Sequence, residues 1–203
     1  AGAGYYAYTI YQRNQLAAQH NTAGQTAFDR AAESKEPAKE YAEAVAAWLE
    51  TVRVDPRGRT EAGRHAQQML PLAQAWVGML RLDWTEADNR LLDAERRGSP
   101  LTLVRQMRTR LDTDRRVHGA LLKIDGALGT SQFELADQTL RDLATALPEY
   151  AGIATQQQRI EKARRTAVYN KHVVDGRQKM TEGKYDDARE AYLSAQRALL
   201  PQD

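Results

Sequence analysis

Cysteine is absent from the 203-residue chain, which excludes disulfide scaffolds, thiolate zinc sites, iron–sulfur clusters and thiol nucleophiles. There is no long apolar run, and a mean hydropathy of -0.68 excludes a multi-spanning membrane protein. Neither sign of charge dominates. The 29 basic and 27 acidic residues leave +2, so no global field favours nucleic acid or an anionic surface. Valine and isoleucine are sparse, and no stretch alternates apolar and polar residues over a strand's length.

What is present is helix-forming. Alanine is the commonest residue at 33 copies, in runs rich in Leu, Arg, Glu and Gln, with glycine and proline mostly between them. Asp125-Gly126 and Asp175-Gly176 lie inside helical patterns rather than at hairpin turns. The sequence therefore predicts an all-α fold of a size suited to one domain. Helices are expected over about Ala3–Ala32, Pro37–Val54, Thr60–Leu82 (with Pro71 as a possible kink), and from a Thr85 N-cap to Arg97. Four more follow over about Leu101–Leu128, Ser131–Ala146 and Glu149–Glu182, and from Gly183 to near Leu200.

Four segments share one spacing: an aromatic, an alanine three residues on, a large residue four further, a fourth position three beyond, then proline. They are Tyr41-Ala44-Trp48-Thr51-Pro56, Trp84-Ala87-Leu91-Ala94-Pro100, Phe133-Ala136-Leu140-Leu143-Pro148 and Tyr185-Ala188-Tyr192-Ala195-Pro201. Steps of three and four put these side chains on one helical face. Aromatics make up only 7% of the chain, so a fourfold recurrence points to a real repeat. The physical reading is a helical hairpin in which alanine admits the partner helix and the larger residues fill the space beside it. A lone hairpin cannot bury such a face, so the units must stack.

This pattern resembles the second helix of the tetratricopeptide repeat, most closely at Gly183-Lys184-Tyr185-Asp186-Asp187-Ala188. Gly176 sits where that family has a glycine on its first helix, with Ala32, Ala75 and Ile124 at the corresponding places in the other units. The four repeat alanines are 43, 49 and 52 residues apart, more than the family's period of about 34, which implies elongated first helices. The resemblance implies a right-handed stack of about four antiparallel hairpins over residues 25–203, presenting a surface to a protein or peptide partner.

Residues 1–24 form a different segment. Tyr5, Tyr6, Tyr8 and Tyr11 precede the first charge at Arg13, and Asn14, Gln15, Gln19, His20 and Asn21 follow. Tyrosine favours the membrane–water interface, so the segment reads as the end of a membrane anchor. The alternative is a tyrosine face packed on the first hairpin or on a partner.

A search for chemistry finds no phosphate-binding glycine loop, nucleophile elbow or metal-type histidine spacing among His20, His65, His118 and His172. No enzyme activity, cofactor or metal is expected. The most prominent polar feature is Arg105, Arg108, Arg110, Arg115 and Arg116, diluted by Asp112 and Asp114. Its candidate partner-binding residues are Arg105, Arg108 and Arg115. Tyr169 and His172 join them from a long helix whose Ile153, Ile160, Ala167 and Val174 recur every seven residues. Without interleaved aromatics the cluster is a weak nucleic-acid site, and a nucleic-acid partner is not expected.

The expectation is a non-catalytic interaction scaffold or adaptor, the soluble domain of a bacterial membrane-anchored protein on the periplasmic side. The alternatives are a sensor ectodomain of a larger receptor or kinase, a cytoplasmic soluble protein, and a nucleic-acid-binding repeat. The register itself is testable. Ala136→Trp should overpack a hairpin interface and cost about 1–3 kcal/mol in chemical denaturation; an unchanged melting temperature would refute the register.

Overall fold

In the computed structural model of the chain, residues 2–199 are described, with side chains from residue 5 onward; Leu200 and Pro201 lie outside the described residues. The described residues form eight helices and no strand: α1 (Gly2–Ala31), α2 (Pro37–Val54), α3 (Glu61–Leu80), α4 (Trp84–Arg96), α5 (Leu101–Gly129), α6 (Phe133–Ala146), α7 (Ile153–Thr181) and α8 (Tyr185–Ala198). The chain divides into two compact units, Ala1–Arg115 and Arg116–Asp203, and α5 contributes to both.

In the first unit α1 packs on α2, α2 on α3 and α3 on α4, and α1 also touches α3. Its core joins Ala27 of α1, Trp48 of α2, Leu72 and Ala75 of α3, Leu91 of α4, and Met107 and Leu111 of α5. In the second unit Ile124 and Ala127 of α5, Ala136 and Leu140 of α6 and Ile160 of α7 form one cluster. There α7 and α8 pair as a hairpin through Ala188, Ala191 and Ala195. Contacts between successive helices are those of stacked helical hairpins.

The repeat register is visible in burial. Ala44, Ala87, Ala136 and Ala188 are all wholly excluded from solvent, one in each hairpin. Opposite the large residue, two first helices carry glycine for want of room. A Cβ on Gly176 would lie 2.9 Å from the Tyr192 ring, and one on Gly24 would lie 2.7 Å from the Trp48 indole. Gly24 therefore does in the first hairpin what the sequence pattern assigns to Ala32. Ala32 is exposed in the turn after α1, because the loop to Pro37 is longer than in the other hairpins.

Three hairpin turns are built alike. Leu82, Ser131 and Gly183 each adopt positive φ (61°, 58° and 73°) five residues before the repeat alanine. The next residue's N–H reaches back to the preceding helix: Asp83 to Gly78 O, Gln132 to Ala127 O, Lys184 to Lys179 O, at 2.9, 2.8 and 2.9 Å. This left-handed cap satisfies helix-terminal carbonyls and reverses the chain. Glycine suits it, whereas leucine is strained there.

Some expectations shift. Asp83, not Thr85, caps α4, its Oδ1 accepting the Glu86 N–H at 3.0 Å. Pro71 lies inside α3 without ending it. α7 starts at Ile153, and of its seven-residue series only Ile160 is buried while Val174 stands exposed, because α7 meets its hairpin partner through Gly176 instead. The turns generate a paired prediction. Gly183→Leu should cost about 1–2 kcal/mol, and Leu82→Gly should raise the unfolding midpoint because a half-exposed leucine loses little burial there.

Candidate functional site

The first unit holds a polar node at the meeting of three helices. On α1, Ala17, Gly24, Ala27 and Ala31 are buried, and Asn21 sits within that seam. Trp48 of α2 is fully buried and donates its indole N–H to Asn21 Oδ1 at 3.2 Å. His65 Nδ1 of α3 lies 2.8 Å from the same oxygen. An amide oxygen only accepts, so the imidazole proton resides on Nδ1. Burial pushes the His65 pKa below its ordinary value, against the pull of the Glu61 and Asp29 carboxylates, so the ring is neutral near pH 7.

Aromatic rings continue the node outward. His65 meets Trp48 edge-on at 6.2 Å, Phe28 lies 5.6 Å from Trp48 and 5.3 Å from Tyr41, and Tyr41 stacks on Trp76 at 5.2 Å. The rings tie α1, α2 and α3 into one rigid block.

Asn21 and His65 face an open groove of about 770 Å³ between α1 and the start of α3. Asn14, Ala18 and Thr22 of α1 line one side, and Arg59, Thr60, Glu61, Ala62, Arg64 and Gln68 the other. Its rim is set by Asp55, which is buried at the α2–α3 turn. The Asp55 carboxylate accepts from Arg59 N–H, Thr60 N–H and the Thr60 hydroxyl at 3.1, 2.7 and 2.8 Å. Gly63 leaves room for it, since a Cβ there would collide with Oδ2. Burial pushes the Asp55 pKa up, but these bonds from Thr60 and Arg59 outweigh it and hold the carboxyl below its ordinary range. Arg64 in turn donates to the carbonyls of Gly58 and Arg59, holding the loop against α3. The groove thus brings together amides, two arginines, the Glu61 carboxylate and the His65 imidazole.

The residues singled out in the sequence are distributed differently. Arg108 pairs with Glu95 at 3.1 Å, and Arg115 with Asp88 at 3.6 Å while donating to Trp84 O. Arg110 pairs with Asp114 at 2.8 Å. Most of the basic cluster is thus neutralised by carboxylates of α4 and α5, whereas the exposed Arg105 side chain makes no hydrogen bond or ion pair among the described residues. Arg105, Arg108 and Arg115 belong to the first unit, and Tyr169 and His172, both half-buried on α7, to the second. Tyr5, Tyr6, Tyr8 and Tyr11 are all exposed, and among the described side chains of α1 none is buried before Ala17. α1 runs unbroken through residue 24, so its second half is the first helix of the first hairpin.

Sequence reasoning missed Asn21, His65 and Asp55 as a group. The available signal was a polar residue set in an apolar seam of α1. Among the described residues, no group of three or more His, Cys, Asp or Glu side chains is placed to hold a metal ion. No described helix is long and apolar enough to cross a membrane.

The Asp55 geometry predicts an acid-sensitive loop. A carboxyl with a depressed folded pKa stabilises the fold fully above about pH 4, and that stabilisation is lost as pH falls through the folded value. Asp55→Ala should lower stability by about 1–3 kcal/mol at pH 7 through unpartnered donors. It should also flatten the loss between pH 5 and pH 2, as read by urea denaturation at each pH.

Compared with protein-family models, with curated proteins and with solved structures, the chain matches none significantly.

Proposed function

We propose that the chain is a non-catalytic protein–protein interaction scaffold built as a divergent tetratricopeptide-like stack of hairpins. The observation that carries this reading is the fourfold exclusion of Ala44, Ala87, Ala136 and Ala188 at equivalent crossings. A hairpin repeat spends its apolar residues on neighbouring hairpins and leaves grooves between first helices for a partner. The groove bordered by Asn14, Asn21, His65 and Gln68 is such a surface, open and lined by hydrogen-bonding groups. An extended peptide is the occupant it suits.

A second observation favours attachment to a membrane. On a helix turning 100° per residue, Tyr5, Tyr6, Tyr8 and Tyr11 spread over most of the circumference instead of one face. A single docked helix would cover one side of such a stretch, whereas the headgroup layer surrounds it. The scaffold is accordingly read as the extracytoplasmic, periplasmic part of an anchored bacterial protein. The same architecture would serve a receptor's sensor ectodomain.

The test is co-purification from gently solubilised membranes with the parent chain and with Ala18→Arg, an exposed substitution that fills the groove. A partner retained by the parent and lost about tenfold or more by the variant supports the scaffold. Equal retention removes the groove, and a kinase in the same polypeptide assigns the chain to a receptor. The native full-length product should fractionate with the membranes; its recovery from the soluble fraction alone would refute the anchor.

A further inference from the structure

In three hairpins a residue from the next hairpin's first helix meets the repeat aromatic residue, at its ring or at its backbone carbonyl. Trp76 of α3 stacks on Tyr41, Arg115 of α5 donates to Trp84 O at 3.3 Å, and the Arg164 guanidinium of α7 stands 5.9 Å over the Phe133 ring. The two arginines occupy the same place, each 31 residues after its aromatic. Each also pairs with the acid four residues after that aromatic: Arg115 with Asp88 at 3.6 Å, and Arg164 with Asp137. In the first hairpin this position is Val45, half-buried against the same core as its aromatic cover Trp76. The character of the position thus matches the residue that covers it: apolar with apolar, acid with base.

The last hairpin keeps the register but lacks the cover. Ala188 is excluded like its counterparts, yet Tyr185 is 67% exposed. Tyr192 is 38% exposed, where Trp48, Leu91 and Leu140 are sealed at 0%, 0% and 2%. Four residues after Tyr185 the chain has Arg189, the opposite charge to Asp88 and Asp137. Tyr185, Arg189, Tyr192, Leu193 and Gln196, with Met180 of α7, line a groove of about 330 Å³ that contains no carboxylate. The Arg189 side chain makes no hydrogen bond or ion pair among the described residues.

We propose that this face of α8 docks a helix of a partner protein, one that presents a carboxylate where Arg115 and Arg164 present guanidinium groups to the preceding hairpins. Charge decides the occupant. A two-fold pairing with a second copy would set Arg189 against a face that carries only the same cation and neutral residues. The proposal rests on the hairpin register alone, and neither the α1–α3 groove nor the tyrosine stretch enters it.

The probe is a fluorescently labelled peptide of residues 101–129, the helix that covers α4, carrying Arg115→Glu. Within its own site this peptide would confront Asp88, which disfavours exchange with the chain's α5. Anisotropy titration against the full chain should show saturable binding, weakened about tenfold or more by Arg189→Glu. The unsubstituted peptide should reverse that preference and favour the Arg189→Glu chain, an outcome that a folding defect cannot produce. Tyr185→Ala should weaken both. Failure of the R115E peptide to bind, or equal binding to both chains, would overturn the proposal. A chain dimer that Arg189→Glu dissociates would give the face to a second copy instead, and a longer form of the chain with Tyr185 shielded from iodination would give it to the chain's own continuation. Equal partner retention by the parent and Ala18→Arg chains, with this charge pattern intact, would count against the scaffold groove alone.

Discussion

The close approach of paired helices at Ala44, Ala87, Ala136 and Ala188 is the constraint on which the rest depends. A larger side chain at any of these crossings would push the helices apart, and a close-packed interior leaves no slack to absorb it. Once that distance is set, the neighbouring positions follow. Trp48 and Tyr192 are admitted only because Gly24 and Gly176 lack a Cβ on the facing helix. The left-handed turns at Leu82, Ser131 and Gly183 then deliver each second helix in the same register, five residues before its alanine. That leucine holds this conformation in one turn shows how strongly helix packing overrides local preference.

Polar groups inside the first unit are satisfied in a way that also shapes its surface. Trp48 could not be fully buried with an idle indole N–H, and Asn21 answers it from α1 while accepting from His65. Asp55 does the same for the backbone donors of the α2–α3 turn. Both devices border the α1–α3 groove, so the groups that tie the helices together also give the groove its hydrogen-bonding character.

The two ends of the described chain contrast with this economy. The start of α1 carries four exposed tyrosines, and α8 leaves an aromatic and an arginine exposed at a position that a neighbouring helix meets in the other hairpins. The proposed binding surfaces lie at these exposed positions and along the groove, where hydrogen-bonding or charged groups remain accessible.

Local periodicity made the helices, their order and the four buried alanines legible, because a face repeating every three or four residues needs no knowledge of its partner. The Gly183 turn was legible for the same reason, while Leu82 and Ser131 were not, since neither residue type advertises a left-handed turn. The arginine cluster reads in sequence as a free basic surface, and packing against α4 turned most of it into ion pairs with Asp88 and Glu95. Asn21, Trp48 and His65 meet across 27 and 44 residues of chain, a separation no helical period encodes. The sequence by itself determined which face of each helix is apolar and how its alanines are spaced. Only the tertiary structure decided which polar groups share a donor or acceptor and which aromatic is left without a cover, because both depend on the helix that arrives next.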